Sequence, residues 1–233
     1  MNENADAAPK RIALIHALAH SIGPVQQEFR HQWPECRLMN LLDDSLSADL
    51  AATPGGLDEA MYQRFEVLGD YAVETGADAI LFTCSAFGPS IEAVARRHPD
   101  IPVLKPNEAM IAQAGRLNTR VGLVASFAPT LKTMPAEFPA ASVIDCELAE
   151  GALAALDAGL LAEHDRLVVD AARRLQQRGC GVIALAQFSM ARAANQVAAA
   201  VPLPVLTTVD SAVKELRARL LGKNRAAAGQ VPR

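Results

Sequence analysis

Ala79-Ile80-Leu81-Phe82-Thr83-Cys84-Ser85-Ala86-Phe87 is a short apolar run that ends on a cysteine and passes through small residues into Gly88-Pro89-Ser90. An apolar run of this length reads as a buried strand, and proline favours the first turn of the helix that follows. About a hundred residues later the design returns as Val182-Ile183-Ala184-Leu185-Ala186-Gln187-Phe188-Ser189-Met190, with glutamine where the first copy has cysteine. The two copies are alike in pattern and unlike in chemistry.

The surrounding chain alternates strand-like and helical stretches. Strand patterns fall on Arg11–His16, Ala79–Thr83, Val103–Leu104, Val121–Ala125, Val182–Ala186 and Val205–Thr207, with a weaker one on Arg37–Asn40. Helical patterns cover Leu57–Thr75, Ser90–Arg97, Glu108–Arg116, Ala149–Leu156, His164–Arg178, Ala191–Ala200 and Ser211–Leu221. This alternation predicts an α/β fold with parallel sheets. The halves also repeat: Arg11-Ile12-Ala13-Leu14-Ile15 parallels Arg120-Val121-Gly122-Leu123-Val124, and Ile101-Pro102-Val103-Leu104 parallels Leu203-Pro204-Val205-Leu206. Ordered matches at a steady offset predict a duplication, two similar domains paired about a pseudo-twofold axis. The expected first half is 11–117 and the second 118–222, with a closing helix over 211–221 free to pack on the first half. Segments 1–10 and 223–233 read as polar, flexible tails.

Composition narrows the function classes. The formal net charge is -4 with no long basic run, which argues against nucleic acid as a partner. No apolar stretch is long enough to span a bilayer, and residues 1–10 lack the apolar core of a signal peptide, so a cytoplasmic protein without a membrane partner is expected. The cysteines Cys36, Cys84, Cys146 and Cys180 are far apart and read as reduced thiols. Dinucleotide loops, phosphate loops and a nucleophile elbow are missing from the sequence. His16 and His20 stand four apart, but His16 closes a strand pattern, so no metal site is expected. A homo-oligomer is compatible with the sequence.

In open parallel sheets ligands bind beyond the carboxyl ends of the strands. The candidate site residues are therefore His16, Ala17, Cys84, Ser85, Ala86, Ser126, Phe127, Gln187, Phe188, Ser189, Thr207 and Thr208, in a cleft between the halves, with the Thr130 hydroxyl as a further candidate. Ser126 also reads as a helix N-cap ahead of Pro129, and Asn107 as the cap of the helix at Glu108. Glu108 is a further candidate for tuning the cleft. His31, His98 and His164 read as solvated. Cys180 precedes its strand and belongs at the end of the sheet away from Gln187, some 20 Å off at about 3.3 Å per residue.

At Phe82-Thr83-Cys84-Ser85-Ala86, Pro102-Val103-Leu104 with Glu108-Ala109, Val121-Gly122-Leu123-Val124 and Val182 to Ala191, the chain resembles the aspartate/glutamate/hydantoin racemase superfamily, which includes arylmalonate decarboxylase and maleate isomerase. The resemblance covers about residues 11–221. It implies a site between two similar α/β domains, a small amino-acid-like or dicarboxylic substrate, and no metal or organic cofactor. It also implies a cysteine after the central strand of each half, the pair exchanging a proton from opposite faces of one carbon. Cys84 keeps the first position; Gln187 stands at the second.

A thiol suits proton transfer because its ordinary pKa of about 8.5 can be drawn towards the working pH, and free amides at a helix start would favour the thiolate. Glutamine donates and accepts hydrogen bonds but does not titrate. Three readings stay open: Cys84 acting as a one-face acid/base in an isomerase or decarboxylase, Cys84 as a nucleophile with His16 as base, and a protein that binds a small carboxylate without turnover.

Overall fold

The computed structural model describes residues 8–228, with side chains described to residue 222. Of the expected tails 1–10 and 223–233, residues 1–7 and 229–233 lie outside the described residues, and 223–228 are helical rather than loose. The first half runs β1 (Arg11–His16), α1 (Ile22–Gln32), β2 (Arg37–Leu42), α2 (Ser45–Ala52), α3 (Glu59–Glu74), β3 (Ala79–Phe82), α4 (Gly88–Arg97), β4 (Val103–Leu104) and α5 (Glu108–Arg116). The second runs β5 (Val121–Ala125), α6 (Ala128–Thr133), β6 (Ile144–Leu148), α7 (Ala152–Asp157), α8 (Leu161–Gln177), β7 (Val182–Leu185), α9 (Ala194–Ala200), β8 (Val205–Thr207) and α10 (Thr208–Ala228).

Two parallel sheets of four strands result, in the orders β2-β1-β3-β4 and β6-β5-β7-β8. The strand order is the same in both, as a duplication requires. β3, β5 and β7 are buried throughout, and β1 is buried from Ile12 on, which is why they read as continuous apolar runs. β6 was not legible in the sequence. It is an edge strand, half-buried along its length, and Asp145 and Glu147 break the apolar run. α1 and α2 were also unforeseen, whereas α6 carries Pro129 in its first turn as expected. α1 carries Gly23 and Pro24 near its start and buries only Val25 and Phe29. α10 extends beyond the expected end at Leu221, to Ala228.

Each sheet is covered on its outer face by helices of its own half. α3 and α4 bring Phe65, Ile91 and Val94 against Ile80 and Phe82; α8 brings Val168, Ala172 and Leu175 against Val124, Ile183 and Leu185. The inner faces are covered by exchange. Val209, Ala212, Val213, Leu216 and Leu220 of α10 pack on Ile12, Leu14, Ala79, Leu81 and Leu104 of the first sheet. Met110, Ile111 and Ala114 of α5 pack on Val121, Leu123, Val182 and Ala184 of the second. Burying each Val, Leu, Ile or Met in this way is worth about 1.5–3 kcal/mol, so the exchange is a principal bond between the halves. The two exchanged helices also touch: the Ser211 hydroxyl donates to Gln113 Oε1 at 2.8 Å, and Arg219 pairs with Glu108 at 3.1 Å. Glu108 thus stands in an ion pair between α5 and α10. Among the described residues no helix is long and apolar enough to cross a membrane.

Candidate active site

The four central strands end alike. Two residues past β1, β3, β5 and β7 stand Leu18, Cys84, Phe127 and Gln187. Each is extended, with φ between -124° and -145° and ψ between 113° and 144°, and each leads into a helical turn. These turns are Ala19–Ser21, Ser85–Phe87, α6 and Phe188–Ala193. They meet across the halves in matched pairs: Ser85–Phe87 lies against α6, and Ala19–Ser21 lies against Phe188–Ala193. The strand ends of both sheets therefore border one region.

Cys84 is partly buried. Ile15, His16, Ala17, Leu46, Phe65 and Phe82 close around its inner side and leave no space for a water molecule. This burial pushes the thiol pKa up; hydrogen bonds from the Ala86 backbone N–H and the Ser47 hydroxyl pull it down without cancelling the rise. The expectation that the helix start would favour the thiolate is corrected here. The amide of Ala86 acts in the expected direction, but the apolar wall supplied by α2 and α3 outweighs it.

His16 is fully buried in that wall. Nδ1 faces Thr83 Oγ1 at 3.0 Å and Nε2 faces Asn40 Oδ1 at 3.1 Å. A proton assigned to Nε2 satisfies both contacts, with the Thr83 hydroxyl donating to Nδ1. Burial lowers the His16 pKa against the raising effect of the Asn40 bond, so the ring is neutral near pH 7. Both nitrogens are committed to the protein, and His16 acts as packing beside Cys84 rather than as a free base.

Gln187 Oε1 accepts hydrogen bonds from the Ser126 backbone N–H at 2.6 Å and from the Ser126 hydroxyl at 3.0 Å. A backbone N–H can only donate, so the carbonyl end of the amide is fixed on Ser126. The Nε2 end has no partner among the described residues. Ser126 spends its hydroxyl on this bond and does not cap α6; Phe127 occupies the cap position without a side-chain bond. Thr130 lies in α6, buried. Ser85 and Ser189 are half-buried in their turns and Ala86 is exposed.

Phe188 departs from the expectation of a substrate contact. It is 2 % exposed and packs among Ile12, Leu14, Val25 and the α10 side chains in the core of the first half. An aromatic ring flanked by two site residues finds more apolar area in the neighbouring half than at the site.

Other side chains also differ from the sequence reading. His164 is completely buried, not solvated: its Nδ1 lies 3.0 Å from Asp165 Oδ1. Asp165, also buried, accepts from Arg192 Nε at 2.7 Å, Arg192 Nη2 at 3.0 Å and Gln196 Nε2 at 2.9 Å. His98 is partly buried against Asp70, while His31 is exposed. Asn107 makes no capping bond and its Nδ2 reaches Glu137 at 3.4 Å. Cys180 lies beside Asp145, at the start of the strands, away from Gln187. His20 pairs with Asp157 at 3.0 Å. Among the described residues no group of three or more His, Cys, Asp or Glu is arranged to hold a metal. Sequence reasoning missed Leu46, Ser47 and Asn40, which belong to α2 and β2. Only Thr83, inside the quoted motif, was in view as a hydroxyl next to the cysteine.

Comparison with solved structures gives matches over most of the chain. A glutamate racemase isoform from Bacillus anthracis superposes with a TM-score of 0.69 at 12% identity, covering 93% of this chain and 84% of that one. Allantoin racemase from Klebsiella pneumoniae gives 0.68 at 23% identity, over 91% and 89%. A mutant of arylmalonate decarboxylase in a sulfate-associated form gives 0.66 at 17% identity, over 91% and 93%. These likenesses establish the fold of two similar domains. Comparison with curated proteins gives no match. The family model described as Asp/Glu/Hydantoin racemase matches residues 25–216, most of the chain. With its duplicated parallel sheets and a cysteine past the end of β3, the chain belongs to the Asp/Glu/hydantoin racemase family.

Proposed function

We propose that this protein is a cofactor-independent enzyme that transfers a proton at a carbon next to the carboxylate of a small substrate, with Cys84 as the acid/base. The observation that carries this reading is the pairing of Cys84 and Gln187 at equivalent strand ends, one able to move a proton and the other able only to hydrogen-bond. With its pKa raised, Cys84 holds its proton at neutral pH and enters the cycle as a donor. Delivering that proton to an enediolate carbon leaves a thiolate that the Ala86 N–H and Ser47 hydroxyl stabilise. Gln187 Nε2, held outward by the bonds from Ser126, donates to a carboxylate or enediolate oxygen, with the hydroxyls of Ser85, Thr130 and Ser189 as further donors.

One thiol serves one face of the substrate. The reactions that fit are an isomerisation in which the thiol gives a proton to one carbon and the resulting thiolate takes one from a neighbouring carbon on the same side, and decarboxylation. In the second, loss of carbon dioxide leaves the electron pair on the α-carbon, conjugated to a remaining acid group, and Cys84 supplies the proton. The raised thiol pKa favours decarboxylation as the second reading. It weighs against covalent catalysis, which needs the thiolate and a free base. The test is turnover in deuterium oxide, followed by NMR, on small α-substituted carboxylates. Deuterium should enter one face of the α-carbon, and Cys84→Ser should stop its entry. Turnover that survives Cys84→Ser would sink the proposal.

A further inference from the structure

Asp165 is the one buried carboxylate among the described residues, at 2% exposure. It stands near the start of α8 and accepts from His164 Nδ1 at 3.0 Å, Arg192 Nε at 2.7 Å, Arg192 Nη2 at 3.0 Å and Gln196 Nε2 at 2.9 Å. Arg192 lies in the turn Phe188–Ala193, directly after Gln187, and Gln196 lies in α9, which continues from that turn. One carboxylate thus joins α8 to the segment that carries both Gln187 and Ser189. In the first half the same place, counted back from the positive-φ glycines Gly76 and Gly179 that follow α3 and α8, is held by Tyr62.

The turn after Gln187 needs an outside hold. A 3₁₀ stretch has poor hydrogen-bond geometry and seldom exceeds about three or four residues; this one runs for six. Gln187 enters it extended, with no side-chain cap. The matching turn after Cys84 is three residues long and passes into α4 through Pro89. Phe188 is anchored in the core of the first half, and Met190 and Ala193 in that of the second, so apolar packing draws the turn towards both. A buried ion pair adds little stability over apolar side chains of similar volume, but it selects one geometry. His164 points the same way: Nδ1 is turned on Asp165 although Nε2 is left buried without a partner. From this arrangement we infer that Asp165 is a positioning residue: through Arg192 it locks the turn after Gln187 onto α8, and so sets where the Gln187 amide and the Ser189 hydroxyl stand. This inference rests on the donor role proposed for Gln187 and extends it to what holds the donor in place.

Two readouts on the full-length protein test it, one of them independent of turnover. Arg192 is partly exposed, so Arg192→Met should fold even if a change at Asp165 does not. In hydrogen exchange followed by mass spectrometry, Arg192→Met and Asp165→Asn should each speed exchange over 187–193 about tenfold or more, the scale of a lost charge-assisted hydrogen bond, and leave 84–88 unchanged. The double variant should exchange no faster than either single one, because the two residues act as a unit. In α-proton exchange on small α-substituted carboxylates, each variant should lower kcat about tenfold with KM nearly unchanged, since the displaced donors serve the enediolate. Most of that loss should vanish in a Gln187→Ala background. Unchanged exchange over 187–193, or a kcat loss of the same size with and without Gln187, would overturn the positioning role and leave the Cys84 chemistry standing. A loss coupled to Gln187, in a protein whose turnover is indifferent to Cys84→Ser, would overturn that chemistry and leave the positioning role standing. A protein that turns over none of these carboxylates overturns both.

Discussion

The ends of β3 and β7 are built to one plan and equipped for different work. Past β3 stands a thiol pressed against an apolar wall; past β7 stands an amide whose carbonyl is pinned by Ser126. The supports differ too. In the first half α3 is tied to the segment after β2 by partly exposed ion pairs, Arg64 to Asp43 at 2.6 Å and to Asp49 at 2.5 Å. In the second half the turn after Gln187 is braced from below by buried Asp165, which holds Arg192. The titrating side has a chemically tuned surround and the non-titrating side a rigid one. The two halves supply equal frames, and side chains of different chemistry stand at the equivalent positions.

The largest expected effect comes from removing the one titrating member. Cys84→Ser should lower turnover by about 10²–10⁴-fold, the usual contribution of a positioned acid/base, as read by α-proton exchange. Restoring a thiol opposite it sharpens the comparison: Gln187→Cys should let deuterium enter both faces of the product, read by chiral chromatography, if symmetry of the ends is all that two-face chemistry needs.

Breaking the brace comes next. Asp165→Ala removes the carboxylate from partly exposed Arg192 and should cost about 1.5–3 kcal/mol, measured by denaturant unfolding. The pH dependence has a definite sign. Burial raises the Asp165 pKa, but the bonds from Arg192 and His164 outweigh it and leave the pKa below its ordinary value. The group therefore adds stability above its unfolded pKa of about 3.9, and that stability is lost as pH falls through the lower folded value. The acid limb of the wild-type stability curve should flatten in the variant.

Cys84 has the opposite sign. Its raised pKa favours the folded state at pH values below the free-thiol pKa of about 8.5, and that preference fades as pH rises through the folded value. Alkylation of Cys84 by iodoacetamide should accordingly accelerate only above the pH at which a free cysteine does. The smallest effect is expected at the surface pair between α5 and α10. Glu108→Gln should change stability by less than about 1 kcal/mol, because the pair with Arg219 is partly exposed.

The sequence disclosed what depends on short, continuous runs. β1, β3, β5 and β7 are buried on both faces and show as unbroken apolar stretches, so the duplicated α/β plan and the places of Cys84 and Gln187 could be read directly. β6 could not, because Asp145 and Glu147, paired with Arg120 and with Arg174 and Arg178, interrupt the apolar pattern of this half-buried edge strand. What surrounds the thiol was hidden for another reason. Leu46 and Phe65 reach Cys84 from α2 and α3, far away in the chain, and they reverse the pKa direction that the local helix start implies. Phe188 misled for the same cause: its neighbours Ile12 and Val25 come from the other half.

The exchanged helices carry a consequence for how the chain is made. Ile12, Leu14, Leu81 and Leu104 are synthesised before the second sheet, yet the α10 side chains that cover them, Val209 to Leu220, are made only after it. Until α10 is made, that face of the amino-terminal sheet has little beyond Val25, Phe29 and Trp33, from α1 and its end, to cover it. Its maturation is coupled to the synthesis of α10, and a chain cut short before that helix would present the face to chaperones and proteases as unfinished.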